Sequence, residues 1–216
     1  MEHTQAQAYL FGFLYPWEAL TGLAAFLTEL GKSLPKEEYI EIQPQVWVHK
    51  SCKIAPSASF ISPCIVGANT EVRQGALLRG GVLIGENCVI GNSTEIKNSI
   101  LFDGVQAPHY NYIGDSILGF KAHLGAGSVI SNLKSDKKEV VVRDGLQTKK
   151  SHLRKLGAMV GDFVEVGCNS VLNPGCVLGR GVRVYPLSCV RGTVRENCIY
   201  KTGGVVVEKR EEGNGR

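Results

Sequence analysis

The sequence predicts an all-β fold, a parallel β-helix with a short helical cap at its N-terminus. A branched or long apolar residue recurs at every sixth position, and a smaller or β-branched residue follows most of them by four positions. A period of six matches neither the 3.6-residue repeat of a helix nor the two-residue alternation of a single strand. It is typical of β-helices in which each six-residue unit supplies one short strand and one corner. The sixth-position residues are Val48, Ile54, Phe60, Val66, Val72, Leu78, Ile84, Ile90 and Ile96, and later Val160, Val166, Leu172, Leu178, Val184 and Val190.

Residues 1–45 do not follow this period and predict a helical segment. Pro16 suits the first position of a helix, because the N–H that it lacks would have no partner there. Gly31 is expected to end the helix. One apolar stripe lies between them, made of Leu20, Leu23, Leu27 and Leu30. Because a short helix cannot bury such a stripe alone, we expect it to cover the first coil as a cap or to contact a neighbouring subunit.

The β-helix is expected to span residues 46–200, with two interruptions. Residues 46–100 hold three turns of 18 residues, and the spacing then slips by one residue near Pro108–Tyr112. A polar, basic insertion at 131–158 interrupts the repeat again, and long segments outside a repeat are usually functional or mobile. Residues 201–216 are expected to form a C-terminal tail with a disordered tip.

Composition and charge exclude several classes of function. The formal net charge is only +4 and no RNA- or DNA-binding motif is present, so no nucleic-acid partner is expected. No stretch of about 18 uninterrupted apolar residues occurs, and the N-terminal Met-Glu-His-Thr-Gln lacks the basic region of a secretory signal, so no membrane partner is expected. The seven cysteines form no C-x-x-C pair. We therefore expect reduced cysteines in a cytoplasmic protein, four of them on small inward positions of the repeat: Cys52, Cys64, Cys88 and Cys176.

Three segments carry a resemblance to a known family. They are Thr94-Glu-Ile-Lys-Asn-Ser-Ile-Leu, Pro108-His-Tyr-Asn-Tyr-Ile-Gly-Asp and Leu124-Gly-Ala-Gly-Ser-Val-Ile-Ser-Asn132. Over roughly residues 45–195 the chain resembles the acetyltransferase domain of bifunctional sugar-1-phosphate nucleotidylyltransferase/glucosamine-1-phosphate acetyltransferases, in particular the archaeal-like branch. The resemblance implies a left-handed β-helix and a homotrimer. It also implies acetyl transfer from acetyl-CoA to a glucosamine-1-phosphate or galactosamine-1-phosphate type of acceptor, without a metal or a covalent intermediate.

The resemblance places His109 at the catalytic base and Ala126 at the backbone N–H that faces the thioester carbonyl. Histidine suits the first role because its pKa allows it to take a proton from an amine near neutral pH. A positioned N–H suits the second role because it stabilises an oxyanion. Ala126, Cys168 and Pro186 also match positions that contact coenzyme A. The alternatives are a hydrogen-bonded loop histidine and a plain Gly-Ala-Gly corner.

Arg79 and Lys97 match the residues that hold the sugar phosphate. They are 18 residues apart, one full turn, so they are expected to lie side by side as a clamp for a dianionic phosphate, unless they are solvated charges at a corner. His123 stands where the family usually has an Asn that touches the amino sugar, which leaves the identity of the acceptor open. The full set of positions implied on the acceptor side is Arg79, Glu95, Lys97, Asn98, Tyr112, His123 and Asn132.

Two other functions stay open from the residues. A non-catalytic β-helix would recruit or regulate a separately encoded nucleotidyltransferase, with the N-terminal helix as the docking element. A metalloenzyme of the γ-carbonic anhydrase type would need His109, His123 and His152 to converge on one metal, although no closely spaced ligand pair occurs. About 45 residues precede the repeat and hold no Gly-rich nucleotide loop, so nucleotidyl transfer is not expected.

Overall fold

Each six-residue unit forms a short strand followed by a corner, and successive units build three parallel sheets around one core. The structure, a computed structural model, describes residues 2–209. The predicted parallel β-helix is confirmed, and the sixth-position residues fill its interior. Ile54 and Phe60 are only partly buried because they lie in the first coil, where no further coil covers the end of the core.

The helices and strands have the following bounds. Two α-helices flank a 3-10 helix: α1 (Gln7–Leu10), the 3-10 helix Pro16–Glu18 and α2 (Ala19–Ser33). The first strands are β1 (Tyr39–Gln43), β2 (Val46–His49), β3 (Lys53–Ile54), β4 (Ser59–Ile61), β5 (Cys64–Val66), β6 (Glu71–Val72), β7 (Leu77–Arg79), β8 (Val82–Ile84), β9 (Val89–Asn92), β10 (Glu95–Lys97) and β11 (Ser99–Leu101). Those up to the end of the insertion are β12 (Gln106–His109), β13 (Tyr112–Gly114), β14 (Ile117–Leu118), β15 (His123–Leu124), β16 (Val129–Ile130), β17 (Val141–Asp144) and β18 (Gln147–Lys150). The last strands are β19 (Ala158–Val160), β20 (Glu165–Val166), β21 (Val171–Leu172), β22 (Cys176–Leu178), β23 (Arg183–Val184), β24 (Cys189–Val190), β25 (Thr193–Val194), β26 (Cys198–Tyr200) and β27 (Val206–Glu208).

Three sheets form the sides of the β-helix. The first sheet has the order β1-β2-β5-β8-β11-β14-β19-β22-β25, and the second has the order β3-β6-β9-β12-β15-β20-β23-β26-β27. The third sheet has the order β4-β7-β10-β13-β16-β21-β24. All neighbours are parallel except β1 with β2 and β26 with β27, which are antiparallel additions at the two ends.

The register shows the predicted slip of one residue, but at Asn98 and not near Pro108–Tyr112, because Ser99 already pairs with Val82, 17 positions before it. In the core column of the third sheet, Leu78 pairs with Ile96, one regular turn of 18 positions later. The next partner of Ile96 is Ile113, only 17 positions further along the chain. Ile113 pairs with Ile130, and Ile130 with Leu172 beyond the insertion. The core column of the third sheet is therefore continuous across both interruptions.

The N-terminal helix does not cover the end of the first coil. It lies on the outer face of the first sheet, where α2 contacts β5 and β8. This sheet is apolar on both faces, since outward side chains such as Trp47, Ile65 and Leu83 are also hydrophobic. These outward side chains need to be buried as much as the inward ones do, and the helix buries them. The leucine stripe of α2 packs there as part of a second core, so the expectation of an end cap is corrected to a flank.

Gly31 does not end the helix, because α2 continues to Ser33. Its absent side chain is used for packing. A Cβ at this position would lie 2.2 Å from two carbons of the Trp47 indole ring, well inside any van der Waals contact. Gly31 is therefore a point of close approach between the helix and Trp47 of the first sheet.

The insertion at 131–158 is folded rather than irregular. Strands β17 and β18 form an antiparallel hairpin, and β17 contacts β22 and β25 of the first sheet. Val140 and Val142 are buried in the second core. Part of the expected tail is also ordered, as β27, and its expected disordered tip at 210–216 lies outside the described residues.

The described residues contain no helix that is long and apolar enough to cross a membrane. All seven cysteines are free thiols, as expected. Burial raises the pKa of the thiols of Cys64, Cys88 and Cys176 to about 12. These three side chains therefore act as small apolar residues of the core.

Candidate active site

The outer face of the third sheet carries most of the residues predicted for the acceptor. In β7, β10 and β13 the central residue points into the core, so its two neighbours point outward. The outward positions are Leu77 and Arg79, Glu95 and Lys97, and Tyr112 and Gly114. The parallel register sets these pairs side by side on adjacent coils.

Arg79 and Lys97 lie at the ends of neighbouring strands, as their 18-residue spacing predicts. Each cation nevertheless has its own carboxylate. The Arg79 guanidinium nitrogen Nη1 lies 2.6 Å from Glu95 Oε1, and Lys97 Nζ lies 3.6 Å from Asp115 Oδ2. The four formal charges cancel, so the two cations form a phosphate clamp only when at least one carboxylate is displaced.

Asp115 is the most buried charged group of this face, with a side chain only 6% exposed. Its Oδ1 accepts a hydrogen bond of 2.8 Å from Asn98 Nδ2, and its Oδ2 accepts one from Asn132 Nδ2. Together with Lys97, these contacts satisfy both oxygens of the carboxylate. Three residues predicted for the acceptor therefore share one buried partner that the sequence did not identify.

The Tyr112 side chain packs over Gly114, in space that a side chain at position 114 would fill. A Cβ at Gly114 would lie 2.8 Å from the Tyr112 hydroxyl and 2.6 Å from Asn132 Nδ2. Burial raises the pKa of Tyr112 above its ordinary value, and the nearby carboxylates of Glu95 and Asp115 raise that pKa further. The phenol is therefore protonated at neutral pH and available as a hydrogen-bond donor.

The residues predicted for acetyl transfer lie in one column, along the edge where the second sheet passes to the third. The column consists of His109, Ala126, Cys168 and Pro186. Backbone hydrogen bonds between coils align it: the carbonyls of the first three accept from the N–H groups of Gly127, Asn169 and Leu187, at 3.0, 2.9 and 3.0 Å. Residues far apart in sequence are thus stacked about one strand spacing apart.

Two features of this column suit chemistry at its surface. The His109 imidazole is exposed, and within residues 2–209 it makes no side-chain hydrogen bond. The N–H of Ala126 likewise has no acceptor in the described chain. Asn111, buried beneath them, accepts a hydrogen bond of 3.2 Å from the His109 N–H and donates one of 2.9 Å to the Gly125 carbonyl. This amide ties the histidine loop to the Gly-Ala-Gly corner.

His123 does not join the third-sheet residues within one chain. It starts β15 on the outer face of the second sheet, and its Nδ1 lies 2.8 Å from Glu165 Oε2 on the next strand. His152 lies elsewhere again, on the insertion beside Glu139. Within the part of the chain that the structure describes, no group of three or more His, Cys, Asp or Glu side chains is placed to hold a metal ion.

Sequence reasoning missed Asp115, Asn111 and Glu165. Asp115 and Asn111 stand inside the Pro108–Asp115 segment that carried the resemblance, and both are polar at positions that the period makes inward or corner positions. That mismatch was the available signal. Glu165 carried none, because its contact with His123 spans 42 positions and crosses the insertion.

Comparison with known proteins identifies the family of this chain. The family model described as "GMPPB C-terminal domain" matches residues 60–195, more than half of the chain. The chain belongs to this family. The match covers strands of all three sheets, the phase slip and the insertion, so every position of the candidate site lies within the matched residues.

Curated relatives of this family member are bifunctional proteins. The bifunctional protein GlmU of Methanococcus maripaludis is 30% identical over 200 residues, which cover 91% of this chain and 48% of the relative. A bifunctional sugar-1-phosphate nucleotidylyltransferase/acetyltransferase of Sulfurisphaera tokodaii is 33% identical over 165 residues, 76% of this chain and 41% of that protein. The chain thus spans about half the length of the curated relatives it matches.

A solved structure shows the same fold. It is a hexapeptide transferase family protein from Anaplasma phagocytophilum, which aligns with a TM-score of 0.50 at 17% identity. The alignment covers 76% of this chain and 79% of that one. The β-helix architecture is therefore supported by an independent structure.

Proposed function

We propose that this chain is an acetyl-CoA-dependent N-acetyltransferase whose acceptor is an amino-sugar 1-phosphate. The observation that carries the proposal is the order of side chains across the third sheet. His109 lies at the side of the third sheet where its strands begin. Tyr112 and Glu95 are the first residues of β13 and β10, and Lys97 and Arg79 are the last residues of β10 and β7. A proton acceptor, polar groups and cations thus follow one another in the order of amine, sugar and phosphate.

In the proposed reaction His109 takes a proton from the ammonium or amine of the acceptor, directly or through a water molecule. The nitrogen then attacks the thioester carbonyl carbon, and the Ala126 N–H stabilises the oxyanion that forms. The C–S bond breaks, the amide is formed, and coenzyme A leaves as the thiol after taking up a proton. No residue becomes acylated, and no metal is needed. Cys168 and Pro186 line the path of coenzyme A along the same column.

Binding of the phosphate has to compete with the internal ion pairs. The Arg79–Glu95 pair is the one that we expect to open, because both side chains are substantially exposed, at 45% and 31%. Exposed pairs contribute only about 0–1 kcal/mol, whereas a dianion offers Arg79 a bidentate contact. Glu95 released in this way is free to face the amino sugar. Asn98, Asn132 and Tyr112 complete the acceptor side.

We further propose that the active form is a homotrimer with sites between subunits. The first sheet is covered by this chain's own helices and insertion, whereas the second and third sheets carry the candidate site on outer faces that the described chain does not cover. His123 and Glu165 lie on the second sheet, so a neighbouring subunit would bring this pair to the acceptor bound on the third. A sizing column with light scattering tests this, and a monomer would contradict it.

The activity is tested by incubating the protein with acetyl-CoA and either glucosamine-1-phosphate or galactosamine-1-phosphate, and following thiol release. His109→Ala should lower the turnover by about 10²–10⁴, the range expected when a general base is removed. The matched control is His152→Asn, which alters another exposed histidine. Position 152 has a positive φ, a conformation that Asn tolerates.

Two outcomes separate the parts of this proposal. If the wild-type protein is correctly assembled but acetylates no hexosamine phosphate, the enzyme proposal fails and a non-catalytic partner of a nucleotidyltransferase becomes the better account. If His109→Ala is as active as the wild type, the reaction stands and the assignment of the base is wrong.

A further inference from the structure

We propose that Asp115 is a positioning residue for the acceptor site, an inference that rests on the proposed function above. Asp115 touches no position predicted to meet acetyl-CoA. It instead holds three side chains predicted to meet the sugar phosphate: Lys97, Asn98 and Asn132. Its role would be to fix these donors in one arrangement before the acceptor binds.

The contacts explain why a carboxylate is needed at this position. Three donors converge on two oxygens, two amide nitrogens and one ammonium group. A carboxylate offers about four lone-pair sites and no donor, so it can accept from all of them at once. A buried charge is tolerated only when it is paired and hydrogen-bonded, and Lys97 supplies the pairing. Within residues 2–209, Lys97 is the one cation within 4.0 Å of this carboxylate.

The backbone of Asp115 extends the same arrangement to the insertion. Its N–H donates to the Lys97 carbonyl at 2.9 Å, and its carbonyl accepts from the Gly157 N–H at 2.8 Å. Asn132 precedes the insertion and its carbonyl accepts from the Leu156 N–H at 2.9 Å. Asp115 therefore connects the third sheet to both ends of the insertion, so that the acceptor residues on either side of it are held in one arrangement.

A purely structural role is the competing explanation, since Asp115 has φ +47° in a corner and stabilises the turn there. The two roles differ in what a change would affect. A structural residue affects stability and both substrates together. A positioning residue affects the Michaelis constant of the acceptor and leaves that of acetyl-CoA unchanged, because only the acceptor's donors depend on it.

The test is Asp115→Asn in the full-length protein. Asn accepts the positive φ, but its amide has one oxygen and one donor nitrogen, so at least one of the two incoming amides from Asn98 and Asn132 loses its acceptor. We expect the KM for the amino-sugar phosphate to rise roughly tenfold or more, with the KM for acetyl-CoA and the saturated turnover within about twofold of wild type.

The matched control is Asp162→Asn. Asp162 is also a corner carboxylate with two partners, the Arg180 guanidinium at 2.9 Å and the Phe120 N–H at 2.9 Å, but it lies between the first and second sheets. We expect it to leave both KM values unchanged. An acceptor KM for Asp115→Asn within twofold of wild type overturns the proposal. A rise in both KM values together with a fall in turnover also overturns it.

Two further measurements keep the proposal testable. If Asp115→Asn does not fold, Asp115→Gly removes the carboxylate while tolerating the positive φ of position 115, leaves the three acceptor side chains themselves unchanged, and should raise the acceptor KM alone. If the wild-type protein acetylates no hexosamine phosphate, the proposed function fails, and the crystal structure of Asp115→Asn decides about positioning. Side chains of Lys97, Asn98 and Asn132 that keep their wild-type positions would overturn it.

Discussion

Gly31→Ala tests whether α2 packs on the first sheet as described. The added Cβ would lie 2.2 Å from carbons of the Trp47 ring, whereas carbon atoms in contact lie about 3.5–4.0 Å apart. The helix or the indole must therefore move by more than 1 Å. Overpacking of this kind costs about 1–3 kcal/mol, and replacing Gly by Ala within a helix returns about 0.8–1.0 kcal/mol.

The expected net effect of Gly31→Ala is a loss of about 0–2 kcal/mol in the free energy of unfolding. For a chain of this size that corresponds to a fall in Tm of up to roughly 4–8 °C. Urea denaturation followed by circular dichroism measures the first quantity, and a thermal scan measures the second. The urea midpoint should fall without a change in slope.

The control for this experiment lies in the same helix. Gly22 is exposed, and a Cβ there would approach only the Tyr9 hydroxyl, the end of a side chain, at 2.9 Å. Gly22→Ala is expected to be neutral or stabilising. If Gly31→Ala instead stabilises the protein by about 1 kcal/mol, as helix propensity alone predicts, the close packing of α2 on Trp47 is refuted.

Two further predictions concern the site column and the core. Asn111→Ala should lower stability by about 1–3 kcal/mol, because it removes the hydrogen bonds of a buried amide to the Gly125 and Ser128 carbonyls and from the His109 N–H, and it should lower turnover through the loosened His109 loop; turnover that stays at the wild-type level in a destabilised protein would contradict the second part. Exposed Cys168 should react with iodoacetamide at pH 8 in the native protein, whereas thiols with a pKa near 12 should react only after denaturation, as peptide mass spectrometry would show for Cys64, Cys88 and Cys176. Since these thiols ionise near pH 9 when unfolded, their raised folded-state pKa stabilises the protein fully below that pH, and the stability should decline as the pH rises from about 9 toward 12.

The period of six was sufficient to predict the fold because a β-helix repeats one local rule. Each coil contacts only its neighbours, so the inward residue of every strand is read directly from its position in the repeat. The same rule predicted that Arg79 and Lys97 lie side by side, and the structure has them in that register. It also revealed the phase slip, because Ile113 falls out of step, but the register places that slip earlier, at Asn98.

The position of the N-terminal helix could not be read in the same way. Its leucine stripe shows that one face is buried, but not against which surface. The apolar outer face of the first sheet decides this, and its residues occupy positions that the repeat leaves unspecified, such as Ile65 and Leu83. Gly31 looked like a helix stop for the same reason, since its contact with Trp47 is not local.

The sequence by itself determined the parallel β-helix and showed that its repeat is interrupted, because both depend on spacing along the chain. The site positions stay predictions, drawn from short motifs. Only the tertiary structure decided which charges are paired. Arg79 contacts Glu95 and Lys97 contacts Asp115, contacts that depend on side-chain reach between coils. Only the tertiary structure aligned His109 and Ala126 with Cys168 and Pro186, because the insertion separates these two pairs in sequence while the backbone hydrogen bonds of successive coils bring them into one column.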